Sequence, residues 1–168
     1  YTTPFDAYAM IGEEEPVSME FFTPVAKIGD NYFNTLAAAV EAATAGQTIT
    51  LLKDAEGSGV VINKNVTIDF GGFTYTFNEG VGNIPSNGFQ ILKDNEVTLK
   101  NGTLQVSSEE NVAKTFYTII QNYANLTVED MYLDGTNLDK WSTTDGDSYT
   151  LSNNSGHVDI FSSTIIAN

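Results

Sequence analysis

The chain has 168 residues, of which 41% are hydrophobic, and a formal net charge of -15 from 7 basic and 22 acidic residues. This length and hydrophobic content allow a buried core, so the composition excludes a disordered polymer. The chain contains no cysteine, which excludes disulfides and thiolate metal sites. The negative charge makes nucleic acid and anionic membranes poor partners. No apolar run reaches the ~18 residues that a membrane-spanning helix requires, so no membrane insertion is expected.

Residues 1–24 differ from the rest of the chain because they contain three prolines, an acidic run and no clear hydrophobic period. We expect them to form an N-terminal arm, with the main domain covering 25–168. One interpretation of the arm is a linker or a segment that wraps the domain. The other is an attachment segment that docks on a neighbouring chain, since exposed aromatic rings reduce solubility. The aromatic residues that would make this contact are Phe5, Tyr8, Phe21 and Phe22.

Residues 25–54 predict a strand, a short helix and a second strand. Asn34 or Thr35 can cap the helix, which we place at about 35–45. Gly46 follows, where the end of a helix favours a residue with a left-handed backbone. The alanine-rich face of this helix suits close packing across the end of a sheet.

After the helix the chain repeats. Four segments that begin with an apolar strand residue start 31, 29 and 32 residues apart. Another apolar residue lies seven positions after each start, and an apolar pair lies about seven positions before it. The starts are Val66, Val97, Leu126 and Val158; the later residues are Phe73, Leu104, Leu133 and Ile165; the earlier pairs are Val60 and Ile62, Phe89 and Ile91, Ile119 and Ile120, and Tyr149 and Leu151.

This spacing predicts a solenoid of about four coils, each made of three short strands. One coil cannot bury its own inward side chains, whereas stacked coils bury a continuous column. Inward apolar residues alternate with outward threonines and acids, as the pleat of a strand requires. A β-sandwich is the alternative, but it does not account for matching spacing inside four units of similar length.

The helix and the strand after it resemble the first part of pectin-lyase-like right-handed β-helices. The matching sequence is FNTLAAAVEAA at 33–43, followed by GQTITL at 46–51. More narrowly, residues 25–77 resemble modules of gut bacterial surface proteins and of phage fibre or capsid-decoration proteins. The resemblance implies an all-β fold, a short right-handed parallel β-helix with an N-terminal capping α-helix, on a cell or virion surface. It implies little about activity, because similar folds serve enzymes, adhesins and inert fibres.

Residues that could support catalysis do not form a clear pattern. Asp69, Asp130 and Asp159 lie on the repeated strand at different offsets, so they need not form one row. His157 is the only histidine and falls at a turn, where a structural role is expected. No pair among the 22 acidic residues stands out as the spaced carboxylates of a glycosidase. We therefore expect no enzymatic activity and no cofactor.

The polar loop at 136–148 holds most of the residues that we expect at a contact site. Asp145 and Asp147 are weak candidates for a calcium site, because the loop lacks the terminal glutamate of a full calcium motif. A solvated acidic turn is the alternative. Trp141 can stack on a sugar ring or pack on the flank of the coils. The predicted contact residues for a glycan or a protein partner are Trp141, Asp139, Asp145, Asp147, Tyr123 and Tyr132.

The last coil is strand-like up to its final residue, and an uncovered coil is a template for pairing with another chain. Ile165 and Ile166 are therefore predicted to lie at an assembly surface. Further coils, a partner, or residues 1–24 would cover it. We expect a non-enzymatic structural or adhesive module of an extracellular surface protein, fibre or phage particle, which assembles with like or partner chains. The alternative is a carbohydrate-binding or polysaccharide-cleaving β-helix protein.

Overall fold

The computed structural model describes residues 7–9, 17–19, 23–139 and 146–168. Strands account for 52% of the residues and helices for 8%, which confirms the predicted all-β class. The strands form a parallel β-solenoid of about three turns, where the sequence spacing predicted about four coils. The predicted boundary between an arm and a domain at residue 24 stays a prediction.

The strands and helices are short and follow one another closely. The strands are β1 (Ala7–Ala9), β2 (Val17–Met19), β3 (Ala26–Ile28), β4 (Asn31–Phe33), β5 (Gln47–Leu51), β6 (Ala55–Ser58), β7 (Val60–Ile62), β8 (Val66–Asp69), β9 (Thr74–Glu79), β10 (Asn87–Ile91), β11 (Glu96–Val106), β12 (Thr118–Asn122), β13 (Asn125–Asp134), β14 (Tyr149–Asn153), β15 (His157–Phe161) and β16 (Thr164–Ile166). The helices are α1 (Leu36–Ala42) and α2 (Glu110–Ala113).

Two sheets carry the coils. The smaller sheet has the order β14-β12-β10-β7 and is parallel throughout. The larger sheet has the order β15-β13-β11-β8-β5-β3-β4, with β16 paired to β13, β9 paired to β11, and β6 paired to β9. Strands β1 and β2 form a separate antiparallel pair. Equivalent strands of successive coils are therefore hydrogen-bonded neighbours, which is the defining feature of a solenoid.

The predicted register of the repeat is confirmed in the larger sheet. Val97 pairs with Val66 on one side and with Leu126 on the other, and Leu126 pairs with Val158. Val66, Val97 and Leu126 are at most 3% exposed, so the three successive coils share one apolar column. Burial of this column is the main stabilising contribution of the stack.

A second column is confirmed at Leu104, Leu133 and Ile165, but its first member lies two residues from the predicted position. Leu104 pairs with Tyr75, whereas the spacing predicted Phe73. Gly71 and Gly72 cause the shift, because they have φ values of 62° and 86° and form an additional turn between β8 and β9. A left-handed backbone at two consecutive residues favours glycine, and the sequence spacing alone did not reveal this turn.

The smaller sheet also departs from the prediction at two residues. Phe89 pairs with Val60 and with Ile120, so Ile120 and not Ile119 continues this column. Tyr149 lies outside the column and its side chain is 50% exposed. Ile119 is nevertheless fully buried, and Tyr149 pairs with Thr118 at the start of β14, two residues before Leu151.

Successive coils bend at residues with a left-handed backbone. Asn101 in β11 and Asp130 in β13 have φ values of 59° and 50°, and Ser162 in the next coil has a φ of 47°. Asparagine and aspartate tolerate this conformation better than most residues. The Asn101 side-chain amide also donates to the Asp69 carboxylate of the coil below, at 3.1 Å.

The N-terminal end of the stack is covered by a helix, as predicted. The Thr35 hydroxyl accepts a hydrogen bond from the Ala38 backbone N–H at 3.1 Å and caps α1. Leu36 and Ala39 of α1 are fully buried. Strand β3 runs antiparallel to β5 and adds a hairpin, β3–β4, which was not predicted in this form. The hairpin and the helix together cover this end of the core.

The column beneath the smaller sheet contains a buried asparagine. The Asn122 side chain is 0% exposed, and its amide donates to the Ala124 carbonyl and to the Asn153 side chain, both at 2.9 Å. Its carbonyl accepts from the Ala124 backbone N–H at 3.1 Å. Asn122 occupies the position of Ile91 in the preceding coil, so a polar network replaces an apolar contact there.

We expect Asn122→Ala to lower the free energy of unfolding by about 3 kcal/mol, because it leaves the buried Ala124 backbone N–H without a partner and opens a small cavity in the core. Urea denaturation would measure the change. The matched variant Asn153→Ala removes an exposed partner of the same network and should cost about 1 kcal/mol. Equal losses for the two variants would contradict the assigned role of Asn122.

Alkaline pH should destabilise the fold through Tyr75. Burial raises the pKa of its hydroxyl above the ordinary value, and the hydroxyl donates to the Ser58 carbonyl at 2.9 Å. The folded state therefore holds this proton more tightly than the unfolded chain. Its contribution is fully present below about pH 10 and is lost as the pH rises above that value.

We expect Tyr75→Phe to remove the part of the alkaline decrease in unfolding free energy that Tyr75 causes. The substitution should cost about 1 kcal/mol near neutral pH, because the hydrogen bond to Ser58 is lost. Urea denaturation between about pH 9 and pH 11 would measure the slope. Tyr132→Phe is the matched control, since Tyr132 is 41% exposed and its loss should leave the slope unchanged. Identical slopes for wild type and Tyr75→Phe would refute this role.

Candidate functional site

The structure brings together two of the predicted contact residues and separates a third from them. Tyr123 and Asp147 line the same groove on the smaller sheet. Tyr132 lies in β13 of the larger sheet, where it pairs with Thr103 and Thr164, so it belongs to a different surface. Asp139 is half-buried, and its backbone N–H donates to the Phe116 carbonyl at 2.9 Å.

Several predicted site residues lie outside the part of the chain that the structure describes. They are Trp141 and Asp145 of the polar loop and Phe5, Phe21 and Phe22 of the arm. Tyr8 is the central residue of β1, where it pairs with Ser18. The calcium site predicted at Asp145 and Asp147 therefore stays a prediction. Among the described residues, no group of three or more histidine, cysteine, aspartate or glutamate side chains is placed to hold a metal ion.

The last coil exposes apolar side chains that its predecessors bury. Ile160 is 44% exposed, although its register partner Val128 is fully buried. Ile165 is 39% exposed, although its partner Leu133 is fully buried. Among the described residues, no strand pairs with the outer edge of β15. Within the described residues, the apolar column thus ends at a partly exposed layer, which we call the terminal surface and define by Leu151, Val158, Ile160 and Ile165.

Ile166 was predicted to belong to this surface, but its position differs from that of Ile165. It is half-buried, and its carbonyl accepts hydrogen bonds from the Gly135 backbone N–H at 2.9 Å and from the Thr150 hydroxyl at 2.7 Å. These bonds tie β16 to the neighbouring coil. The final strand is therefore held in register with the neighbouring coil.

The strand edge of the terminal surface has little protection against pairing. Proteins commonly protect such an edge with lysine or proline, and residues 149–168 contain neither. The charged groups on β15 are Asp159 and, when protonated, His157, whose Nε2 lies 3.1 Å from an Asp159 carboxylate oxygen. Phe161 at the end of β15 is 54% exposed. The edge can therefore accept another strand.

Sequence reasoning identified Ile165 but missed Ile160 and Phe161. The signal was present, since Ile160 is the second apolar residue of the aligned segment that begins at Val158. Alignment with Val128 of the preceding coil places Ile160 in the inward column, and Ile160 is 44% exposed there. The omission came from considering only the final residues of the chain.

The aspartates Asp69 and Asp159 of the repeated strand lie at different register positions along the larger sheet. Asp69 pairs with Lys100, and its carboxylate lies 3.6 Å from the Lys100 ammonium group. Asp159 pairs with Thr127 at a different position along the sheet. The Asp69 carboxylate also accepts from the Gly71 backbone N–H at 2.9 Å, so it stabilises the turn that follows β8.

The smaller sheet carries a groove that sequence reasoning did not define as one site. Its volume is about 460 Å³. Amide side chains of β10 and β12 form its floor, and tyrosines from two coils lie along it. The lining residues used below are Gln90, Gln121, Tyr117, Tyr123, Tyr149 and Ile84.

Comparisons of the chain with protein-family models, with curated proteins and with solved structures gave no significant match. Within the described part of the chain, no helix has the length and hydrophobicity needed to cross a membrane.

Proposed function

We propose that this chain is a non-enzymatic structural or adhesive module of an extracellular surface, a fibre or a phage particle, and that it self-associates through the terminal surface. The observation that carries the proposal is the exposure of Ile160 and Ile165, whose partners in the preceding coil are fully buried. A solenoid needs a covering layer at each end. A second copy supplies one of matching shape and chemistry.

The two ends of the stack support this interpretation by their contrast. At the N-terminal end, Leu36 and Ala39 of α1 and Ala26 of β3 are fully buried. At the other end, the terminal surface combines exposed aliphatic side chains with an unprotected strand edge. Two terminal surfaces can meet edge to edge and bury both sets of side chains, which is favourable through the hydrophobic effect.

A structural role is also supported by the positions of the acidic residues. Asp69 is engaged by Lys100 and by the turn at Gly71, and Asp159 lies at a different register position. A polysaccharide-cleaving site would require acidic groups brought together on one face. The proposal therefore treats these aspartates as parts of turns and surface ion pairs.

The proposed location follows from the likeness of residues 33–51 to pectin-lyase-like right-handed β-helices and of residues 25–77 to surface and phage modules. The scarcity of basic residues, 7 in 168, agrees with exposure to trypsin-like proteases, which find few cleavage sites in such a chain. Right-handed winding and membership of the pectin-lyase-like type belong to this proposal.

Static light scattering over a dilution series tests self-association. We expect a mass above that of one chain at high concentration, and a decrease toward one chain on dilution. Ile160→Lys should weaken association about tenfold or more, because it places a charge in a surface that must be desolvated. The melting temperature of each variant would show whether the fold is retained.

Val61→Lys is the matched control for this experiment. Val61 is 40% exposed on β7, away from the terminal surface, and its replacement adds the same charge. It should leave the association constant unchanged. A chain that stays monomeric at every concentration, or equal weakening by Val61→Lys and Ile160→Lys, would contradict the proposal.

A further inference from the structure

The groove on the smaller sheet has the size and shape of a small-ligand site. Its volume is about 460 Å³, and ligand pockets in proteins commonly range from about 300 to 1,000 Å³. It follows the outer faces of β10, β12 and β14, and the segment that contains Ile84 borders it. Ile84 is 58% exposed, so the groove has an apolar side chain at its rim.

The floor of the groove consists of amide side chains held in register. Gln90 pairs with Gln121, and Gln121 pairs with Ser152 in the next coil. The Gln90 side-chain N–H donates to the Gln121 carbonyl at 2.7 Å. An amide has two N–H donors and a carbonyl acceptor, so this bond leaves Gln90 Oε1 and Gln121 Nε2 for other partners. The floor therefore offers both an acceptor and a donor in fixed positions.

Three tyrosines add ring surfaces to the polar floor. Tyr117 and Tyr123 lie at the two ends of β12, and the rise of a strand places them roughly 20 Å apart. Tyr149 lies on the next coil and is 50% exposed. Its hydroxyl donates to the Asp147 carboxylate at 3.4 Å. A tyrosine ring presents an apolar face and a polar tip, which suits ligands that combine C–H surfaces with hydroxyl groups.

The charge around the groove selects against ionic ligands. Asp147 is the acidic residue among the described residues that line it, and no lysine is among them. The chain as a whole carries a formal charge of -15, which repels anions. A single carboxylate beside several neutral amides and hydroxyls favours a ligand that is polar and uncharged.

We propose that this groove binds an uncharged oligosaccharide, with sugar rings on Tyr123 and Tyr149 and hydroxyl groups on the Gln90–Gln121 pair. The extended form of the groove across three coils fits a linear chain of sugar units rather than a single compact molecule. This inference is independent of self-association, because Ile160 and Ile165 do not line the groove.

Calorimetric titration with cellohexaose, maltohexaose, mannohexaose and N-acetylchitohexaose tests the proposal, with hexagalacturonate as the anionic comparison. At least one neutral oligosaccharide should bind. Tyr123→Ala and Tyr149→Ala should each weaken that binding about tenfold, through loss of ring contacts. Tyr132→Ala, an exposed tyrosine on the other sheet, is the matched control and should change the affinity by less than about twofold. Thermal melting would confirm that each variant is folded.

The Ile160→Lys variant separates this proposal from the one on self-association. It should bind the oligosaccharide with wild-type affinity, whether or not the wild type associates. No binding of any neutral probe at about 10 mM would overturn the inference. Binding of hexagalacturonate alone, or binding that Tyr123→Ala and Tyr149→Ala leave unchanged, would also overturn it.

Discussion

Stacking of one coil on the next is the interaction on which the rest of the structure depends. A coil of short strands has no interior of its own, so its inward side chains are buried only by the coils above and below. The column through Val66, Val97 and Leu126 shows the result, since all three are at most 3% exposed. The same constraint leaves the inward side chains at each end of the stack exposed unless another element covers them.

The sequence predicted the features that repeat. Offsets of 31, 29 and 32 residues placed Val66, Val97, Leu126 and Val158 in register, because strands that stack must have apolar residues at equivalent positions. The capping helix was also predictable, since a threonine cap followed by apolar residues at helical spacing is a local signal. In the capping helix and the repeated strands, the structure suggested by local residue preferences is the same as the one suggested by the repeat spacing.

Features that depend on one particular coil were not predictable. The two-glycine turn at Gly71 and Gly72 shifts Tyr75 into the column, and spacing alone does not report the length of a turn. Asn122 replaces an apolar side chain in the core, which only its hydrogen bonds to Ala124 and Asn153 explain. The groove was missed because Gln90 and Tyr149 lie far apart in sequence, and only the stack brings them to one face.

Cysteine pairs in a chain that has none of its own test the stacking register most directly. Thr98 pairs with Thr127, and neighbouring strands are about 4.8 Å apart, within the Cα separation that a disulfide spans. Free-thiol titration after mild oxidation should therefore show a disulfide in Thr98→Cys with Thr127→Cys. The pair Thr98→Cys with Glu129→Cys lies about 8 Å apart and should keep its thiols. Disulfide formation in the second pair but not in the first would contradict the parallel, in-register stack.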